Sequence, residues 1–191
     1  MACNMLNNVS IRLMSGGHTF SIKDIDAIRQ AGAGAVVEFV TPKTVLRPEQ
    51  GFDRANAADD LAATGYVVAD NEVVVSTKAQ NGKVAVMAVS AACVEAIEAL
   101  GVEFVCTSPL LAGDDPTEGS CIALYGDVLY VRVYKDGMRF AEAIAVENDA
   151  DVLYYLTTID QVYGIYNTYA RAEGDVERLN RVCRKYFKVK F

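Results

Sequence analysis

The sequence predicts an α/β protein of two lobes, each a mixed sheet with helices packed on it. Three observations predict this. The C-terminal third runs through three strands, a helix, a strand and a helix, and two of its strands meet at Asp136-Gly137. The N-terminal half has a similar layout, with strands first and helices alternating with strands after them. Between the two, residues 112–120 combine Gly, Asp, Pro and Thr without periodicity, which is the composition of a link. Meanders followed by alternating helices and strands indicate mixed sheets covered by helices. The expected lobes are residues 1–112 and 121–191, joined by a linker at 113–120.

The first lobe opens with a hairpin pattern. Val9, Ile11 and Leu13 alternate with polar residues, Ser15-Gly16-Gly17 supplies a turn, and residues 19–22 return. A third strand is expected over 35–40, with an extension to Leu46, punctuated by Pro42 and Pro48. Residues 53–64 read as a helix that stops at Gly65. Residues 73–77 and 84–89 read as strands around Asn81-Gly82, a strong hairpin signal. Ser90 is expected to cap a helix carrying Cys93, Val94, Ile97 and Leu100, with Gly101 ending it. A buried strand follows over 102–107.

In the second lobe, strands are expected over 121–125 and 128–134. With a two-residue turn at Asp136-Gly137, Lys135 faces Met138 and Val133 faces Phe140. Leu129, Val131, Val133, Met138, Phe140 and Ile144 then share one face, interrupted only by Glu142. Asn148 or Asp149 caps the next helix. Its apolar stripe is Val152, Tyr155, Leu156, Ile159, Val162 and Tyr163, up to a stop at Gly164. Residues 166–172 read as a strand. Asp175 caps a last helix with Val176, Leu179, Val182, Cys183 and Tyr186 on one side, and 189–191 pair as a short strand or fray.

Composition excludes several classes. A chain of 191 residues with 52 % hydrophobic residues builds a core without disulfides. A net charge of −7 argues against nucleic acid, whose phosphates call for a concentrated basic face. The basic cluster Arg178, Arg181, Arg184, Lys185, Lys188 and Lys190 has helical spacing and reads as a solvated face. The five cysteines (Cys3, Cys93, Cys106, Cys121, Cys183) are odd in number, lack C-x-x-C spacing and sit mostly in apolar runs. They point to buried thiols in a reducing, cytoplasmic compartment. No signal-peptide pattern is visible, and no apolar run reaches the roughly eighteen residues of a membrane span.

Leu124-Tyr125-Gly126-Asp127, the strand to Tyr134, Gly137, Phe140, Asn148 and above all Asp151-Val152-Leu153-Tyr154-Tyr155-Leu156 resemble an uncharacterised bacterial family with an actin-like ATPase fold. Val45-Leu46-Arg47-Pro48-Glu49, ahead of a short helix, is similar to the same family. The resemblance covers most of the chain in scattered short pieces, and the chain is expected to be shorter than such relatives, mainly at the C-terminal end. It implies two ribonuclease-H-like lobes with a cleft between them, an abbreviated actin-like ATPase fold. In active members of that superfamily two Gly-rich hairpins cradle the phosphates of ATP, nearby acidic residues hold Mg²⁺ through water, and a later Gly pair contacts the adenosine. Phosphates need backbone N–H donors at close range and a cation to offset their charge.

On this chain the first such hairpin is Leu13-Met14-Ser15-Gly16-Gly17-His18-Thr19, which keeps glycines but has no Asp before them. The second is Leu124-Tyr125-Gly126-Asp127-Val128, with one glycine and bulky Tyr125 where close approach is needed. The later position is Ala172-Glu173-Gly174-Asp175, a single glycine between carboxylates that repel phosphate unless a cation intervenes. Gly16, Gly17, Gly126 and Gly174 are thus the candidate nucleotide contacts of a degenerate cleft.

Other side chains carry less. His18, the only histidine, falls in a hairpin turn and reads as an exposed polar residue, and no signature supports a Cys–His pair. Asp114-Asp115 and the group Glu147, Asp149, Asp151 lack calcium-loop spacing and read as a solvated link and a helix first turn. Tyr154, Tyr155, Tyr163, Tyr166 and Tyr169 read as amphipathic rings at a lobe boundary, with an interface role as the alternative.

The leading reading is a non-catalytic actin-like binding or assembly module with an unknown protein partner, no catalytic residues, no metal and no cofactor. Relatives of this fold in pilus and secretion machines serve as cytoplasmic scaffolds, an analogy at the level of the fold. The alternative is an ATP-binding protein with slow hydrolysis or none, using ATP and Mg²⁺ at the four glycines. A third reading is a homo-oligomer built through exposed edge strands.

Overall fold

The computed structural model describes residues 10–14, 35–101 and 103–184. The chain divides into two compact units, Met1–Leu111 and Ala112–Phe191. The first runs β1 (Ser10–Met14), β2 (Ala35–Val40), β3 (Thr44–Pro48), α1 (Ala57–Ala62), β4 (Glu72–Ser76), β5 (Lys83–Ser90), α2 (Ala91–Glu98) and β6 (Phe104–Thr107). The second runs β7 (Glu118–Tyr125), β8 (Val128–Lys135), β9 (Met138–Ala145), α3 (Asp149–Tyr163), β10 (Ala170–Gly174) and α4 (Val176–Cys183).

Among the described residues the N-terminal unit holds two sheets. One is parallel, in the order β1-β2-β6, and the other antiparallel, in the order β3-β5-β4. The single strand expected from 35 to 46 is therefore two strands in different sheets. Pro42 cannot donate to a ladder, and the chain bends there: the Thr44 amide donates to Pro42 O at 2.9 Å and the Thr44 hydroxyl to Thr41 O at 2.7 Å. The known neighbour of β1 is β2; the return strand expected over 19–22 lies outside the described residues.

The Asn81-Gly82 turn is where the sequence puts it, with both residues at positive φ and Gln80 bridged to Lys83. The run Val84–Val89 is apolar on both faces because β5 is the central strand and both its faces are covered. Met87 and Val89 pack with Val37, Phe39 and Ile97, while Val86 and Ala88 pack with Ala57 and Leu61 of α1. Ser90 stands at the N-cap of α2 without a side-chain capping bond. Its backbone is already committed as the last residue of β5, opposite Glu72. The strand expected to be buried over 102–107 begins at Phe104 and is only half-buried.

The C-terminal unit is one mixed sheet, β10-β7-β8-β9, with β10 parallel to β7 and the rest antiparallel. β7 begins at Glu118, inside the stretch expected to be a link. Glu118, Gly119 and Ser120 pair with Lys135, Tyr134 and Val133. The strand expected over 166–172 is displaced: a 3-10 turn occupies Ile165–Asn167 and β10 starts at Ala170.

Val133 faces Phe140 as expected, but the register then slips and Tyr134, not Lys135, faces Met138. Asp136 and Gly137 both adopt positive φ, and the Lys135 amide donates to Gly137 O at 2.9 Å. That turn takes up one more residue than a two-residue loop, and a bulge absorbs the difference.

Both helices lie on one face of this sheet. Ile122, Leu124, Leu129, Val131, Val133 and Ile144 pack against Val152, Leu156 and Ile159 of α3 and Leu179, Val182 and Cys183 of α4. α3 has a complete capping box, with Asn148 accepting from Ala150 N and Asp151 N while Asp151 accepts from Asn148 N, and it ends on left-handed Gly164. The expected stripe is correct except at its end: Val162 is 70 % exposed and Tyr163 39 %. In the last turn Val162 finds no cover, while the Tyr163 ring still meets Phe140 of β9, 5.2 Å between centroids.

Glu142 stands opposite Val131 on the helix-covered side of β9, the outer strand. Desolvation raises its carboxyl above the ordinary value of 4.5, although it keeps access to solvent at the sheet edge. The fold therefore prefers the neutral acid. The stability tied to this group is fully present below the ordinary carboxylate pKa and is lost as pH rises through the raised value. Glu142→Gln is expected to raise the melting temperature near neutral pH and to leave it unchanged below about pH 4, read from paired melts across pH. An equal gain at both ends of the range would show that the charge is not the cause.

Candidate functional site

Gly126 and Gly174 are brought to the same end of the second sheet, beyond the carboxyl ends of the parallel pair β7 and β10. In open α/β sheets that end is where ligands bind. The chain closes the position with its own groups.

Gly126-Asp127 is a two-residue turn between Tyr125 and Val128, and Gly126 has φ +60°. A hairpin with glycine first in the turn uses this conformation, so the turn alone accounts for Gly126. Its carbonyl accepts a hydrogen bond from Arg178 Nη1 at 3.1 Å. Arg178 Nε donates to Asp149 Oδ1 at 2.6 Å, and Arg181 Nη2 lies 3.5 Å from Asp149 Oδ2. The hydrogen bond from Arg178 holds the Asp149 carboxyl below the ordinary carboxylate value.

Gly174 has φ +75°, and a Cβ there would lie 2.1 Å from Leu124 O and 2.7 Å from the ring of Tyr125. The Asp175 amide donates to Leu124 O at 2.8 Å, and the Tyr125 hydroxyl donates to Glu173 Oε2 at 3.3 Å. The glycine is there because the Leu124 carbonyl of β7 and the Tyr125 ring close on its Cα.

Side-chain oxygens also take amides at the helix N-termini near this end. Asn148 takes the Ala150 and Asp151 amides of α3, and Asp151 takes the Glu147 and Asn148 amides. Asp175 takes the Arg178 amide at the start of α4. A phosphate arriving here would compete with the Asn148 amide oxygen and the Asp151 and Asp175 carboxylates for these N–H groups. Gly16, Gly17 and His18 lie outside the described residues.

Asp115 accepts from the Tyr134 hydroxyl at 2.8 Å. Among the described residues no group of three or more His, Cys, Asp or Glu side chains is placed to hold a metal ion. Cys93, Cys106, Cys121 and Cys183 are free thiols. Burial pushes Cys106 up to about 11 and Cys183 up to about 12, and raises Cys121. These three are protonated at neutral pH and are poor nucleophiles. Tyr154 and Tyr169 are exposed at 65 % and 75 %, whereas Tyr155 and Tyr166 pack against the core. Among the described residues no helix is long and apolar enough to cross a membrane.

Sequence reasoning passed over Arg132. It is 3 % exposed on β8, opposite Cys121, and its Nη1 has no hydrogen-bond partner. A lone charge in the apolar run Val128–Tyr134 was the available signal.

No protein-family model matches the chain, and no curated protein matches it in sequence. Solved structures do match. One is a protein from Bacteroides thetaiotaomicron with an actin-like ATPase fold and unknown function. It is 13 % identical at a TM-score of 0.65, over 81 % of this chain and 66 % of that one. Another is the cytoplasmic domain of EpsL, an inner membrane component of the type II secretion system of Vibrio cholerae, 16 % identical at a TM-score of 0.45 over 95 % of both chains. The first likeness shows the fold: this chain has an actin-like ATPase fold and spans 66 % of that structure's length.

Proposed function

We propose that the chain is a non-catalytic actin-like binding or assembly module whose nucleotide cleft is degenerate. The observation that carries this reading is Gly174. The later glycine position, where relatives of the fold contact adenosine, is filled by Leu124 O and the Tyr125 ring. Two further facts support it. Gly126 is used by its hairpin and by Arg178, and at the nearby helix starts Asn148 takes the Ala150 and Asp151 amides while Asp175 takes the Arg178 amide. The partner is a protein: the chain is acidic, and Asp149 already engages Arg178 and Arg181 of the basic cluster. Free thiols support a reducing, cytoplasmic setting.

Melting the protein with millimolar Mg-ATP tests the reading. A ligand at a hundred times its dissociation constant stabilises by about 2.7 kcal/mol, and the expected result is no shift. A shift of that size would replace this reading with that of an ATP-binding protein.

A further inference from the structure

We propose that the groove between the C-terminal end of α3 and the β8–β9 hairpin docks an extended segment of a partner protein that carries an apolar side chain beside carboxylates. The groove holds about 560 Å³, within the roughly 300–1,000 Å³ of ligand-sized clefts. Its apolar wall is Val162 and Tyr163, and its charged wall is Lys135 and Arg139, with Glu118 at the rim.

Four observations converge. Val162 and Tyr163 continue the buried stripe of α3 yet keep open surface: Val162 is 70 % exposed, and Tyr163 is covered on one side by the Phe140 ring, 5.2 Å between centroids, and open on the other. Lys135 and Arg139 have no ion pair among the described residues; the bond Arg139 makes is from Nε to the Lys135 carbonyl, at 2.7 Å. The β8–β9 bulge falls here. Alternation from Phe140, which packs on the helix-covered face, would put Arg139 on the opposite face. With the register slipped between Val133 and Tyr134, Arg139 instead lines the groove with Tyr163, the re-aiming that bulges provide. Finally, the groove runs across the ends of β7, β8 and β9, with Glu118, Lys135 and Arg139 along it, a shape that suits an extended segment.

Charge selects the occupant. Two cations with no ion pair among the described residues stand against one carboxylate, Glu118, which lies opposite Lys135 in the β7–β8 ladder, on a chain whose net charge is −7. An acidic segment is repelled by most of this protein and attracted at this groove, which gives register and specificity. The apolar side chain would sit on Val162 and Tyr163 while its acidic neighbours meet Lys135 and Arg139.

This inference rests on the reading of the chain as a binding module, and its test fails separately. A displayed library of random peptides, about twelve residues long, is panned against the full chain. The expected consensus pairs a large apolar residue with Asp or Glu. The synthesised consensus peptide should bind at least about tenfold more weakly to the double variant Lys135→Glu, Arg139→Glu and also to Val162→Glu. All three positions are exposed, and unchanged melting temperatures check that the variants fold. No enrichment, a basic consensus, or binding untouched by charge reversal would overturn the proposal. So would a double variant that melts lower but binds equally well, which would mean that the cations only complement the end of α3. Concentration-dependent self-association lost in the same variants would assign the groove to a second copy instead. Enrichment together with stabilisation by Mg-ATP would keep the groove and remove the nucleotide-free reading; no enrichment and no ATP effect would do the reverse.

Discussion

Gly174→Ala is expected to destabilise the C-terminal unit by about 2–5 kcal/mol. Two costs add. An L-residue held at φ +75° pays about 1–2 kcal/mol for the left-handed backbone. Its methyl would also stand 2.1 Å from Leu124 O, a backbone atom fixed by pairing in β7, and overpacking of that kind costs about 1–3 kcal/mol. Relief would require β10 to move off β7 and the Tyr125 ring to swing away. Gly65→Ala is the control: Gly65 has φ +87° but nothing within 4 Å of the added carbon, so only the backbone cost of about 1–2 kcal/mol applies. For a chain of this size each kcal/mol moves the melting temperature by about 2–4 °C, so thermal denaturation resolves the two variants. Equal losses would mean that Gly174 is not gripped by its neighbours, and the support for a filled cleft would go with it.

Leu156→Ala carries the second large effect, an expected loss of about 2–5 kcal/mol in denaturant unfolding. Leu156 is fully buried at the middle of α3, in the cluster with Leu129, Val131 and Leu179, so truncation leaves a cavity under the helix. Val162→Ala lies on the same stripe of the same helix and is expected to change stability by no more than about 0.5 kcal/mol, since Val162 is 70 % exposed. The contrast measures how far along the stripe of α3 the cover extends. If the two variants lost stability equally, Val162 would be covered in solution and the groove beside it would not be open.

Periodicity could not have told these positions apart. Val152, Leu156, Ile159 and Val162 obey one pattern, which reports a helix face and says nothing of how far the supporting sheet extends. The signals that did translate are local. Asn148 and Asp175 cap helices, Gly164 stops one, and Asn81-Gly82 turns a hairpin, each because a side chain or a positive φ acts within a few residues. Pairing at long range was not legible: the strands read from 35 to 46 contain nothing that says β2 joins one sheet and β3 another.

The candidate glycines divide in the same way. Gly126 stands in a tight turn that the sequence signals, whereas Gly174 is explained only by a strand brought beside it from about fifty residues away. A glycine in sequence marks a place where backbone or ligand comes close, and the sequence does not say which.

The parallel seating of β10 on β7 also orders events during synthesis. Residues 118–145 form an antiparallel meander that can zip up as it leaves the ribosome. The outer rim of β7 must then wait, bare, while α3 and the turn after it emerge, until Ala170–Gly174 arrives to cover it. During that interval the nascent chain presents an apolar strand with open backbone groups to whatever is nearby.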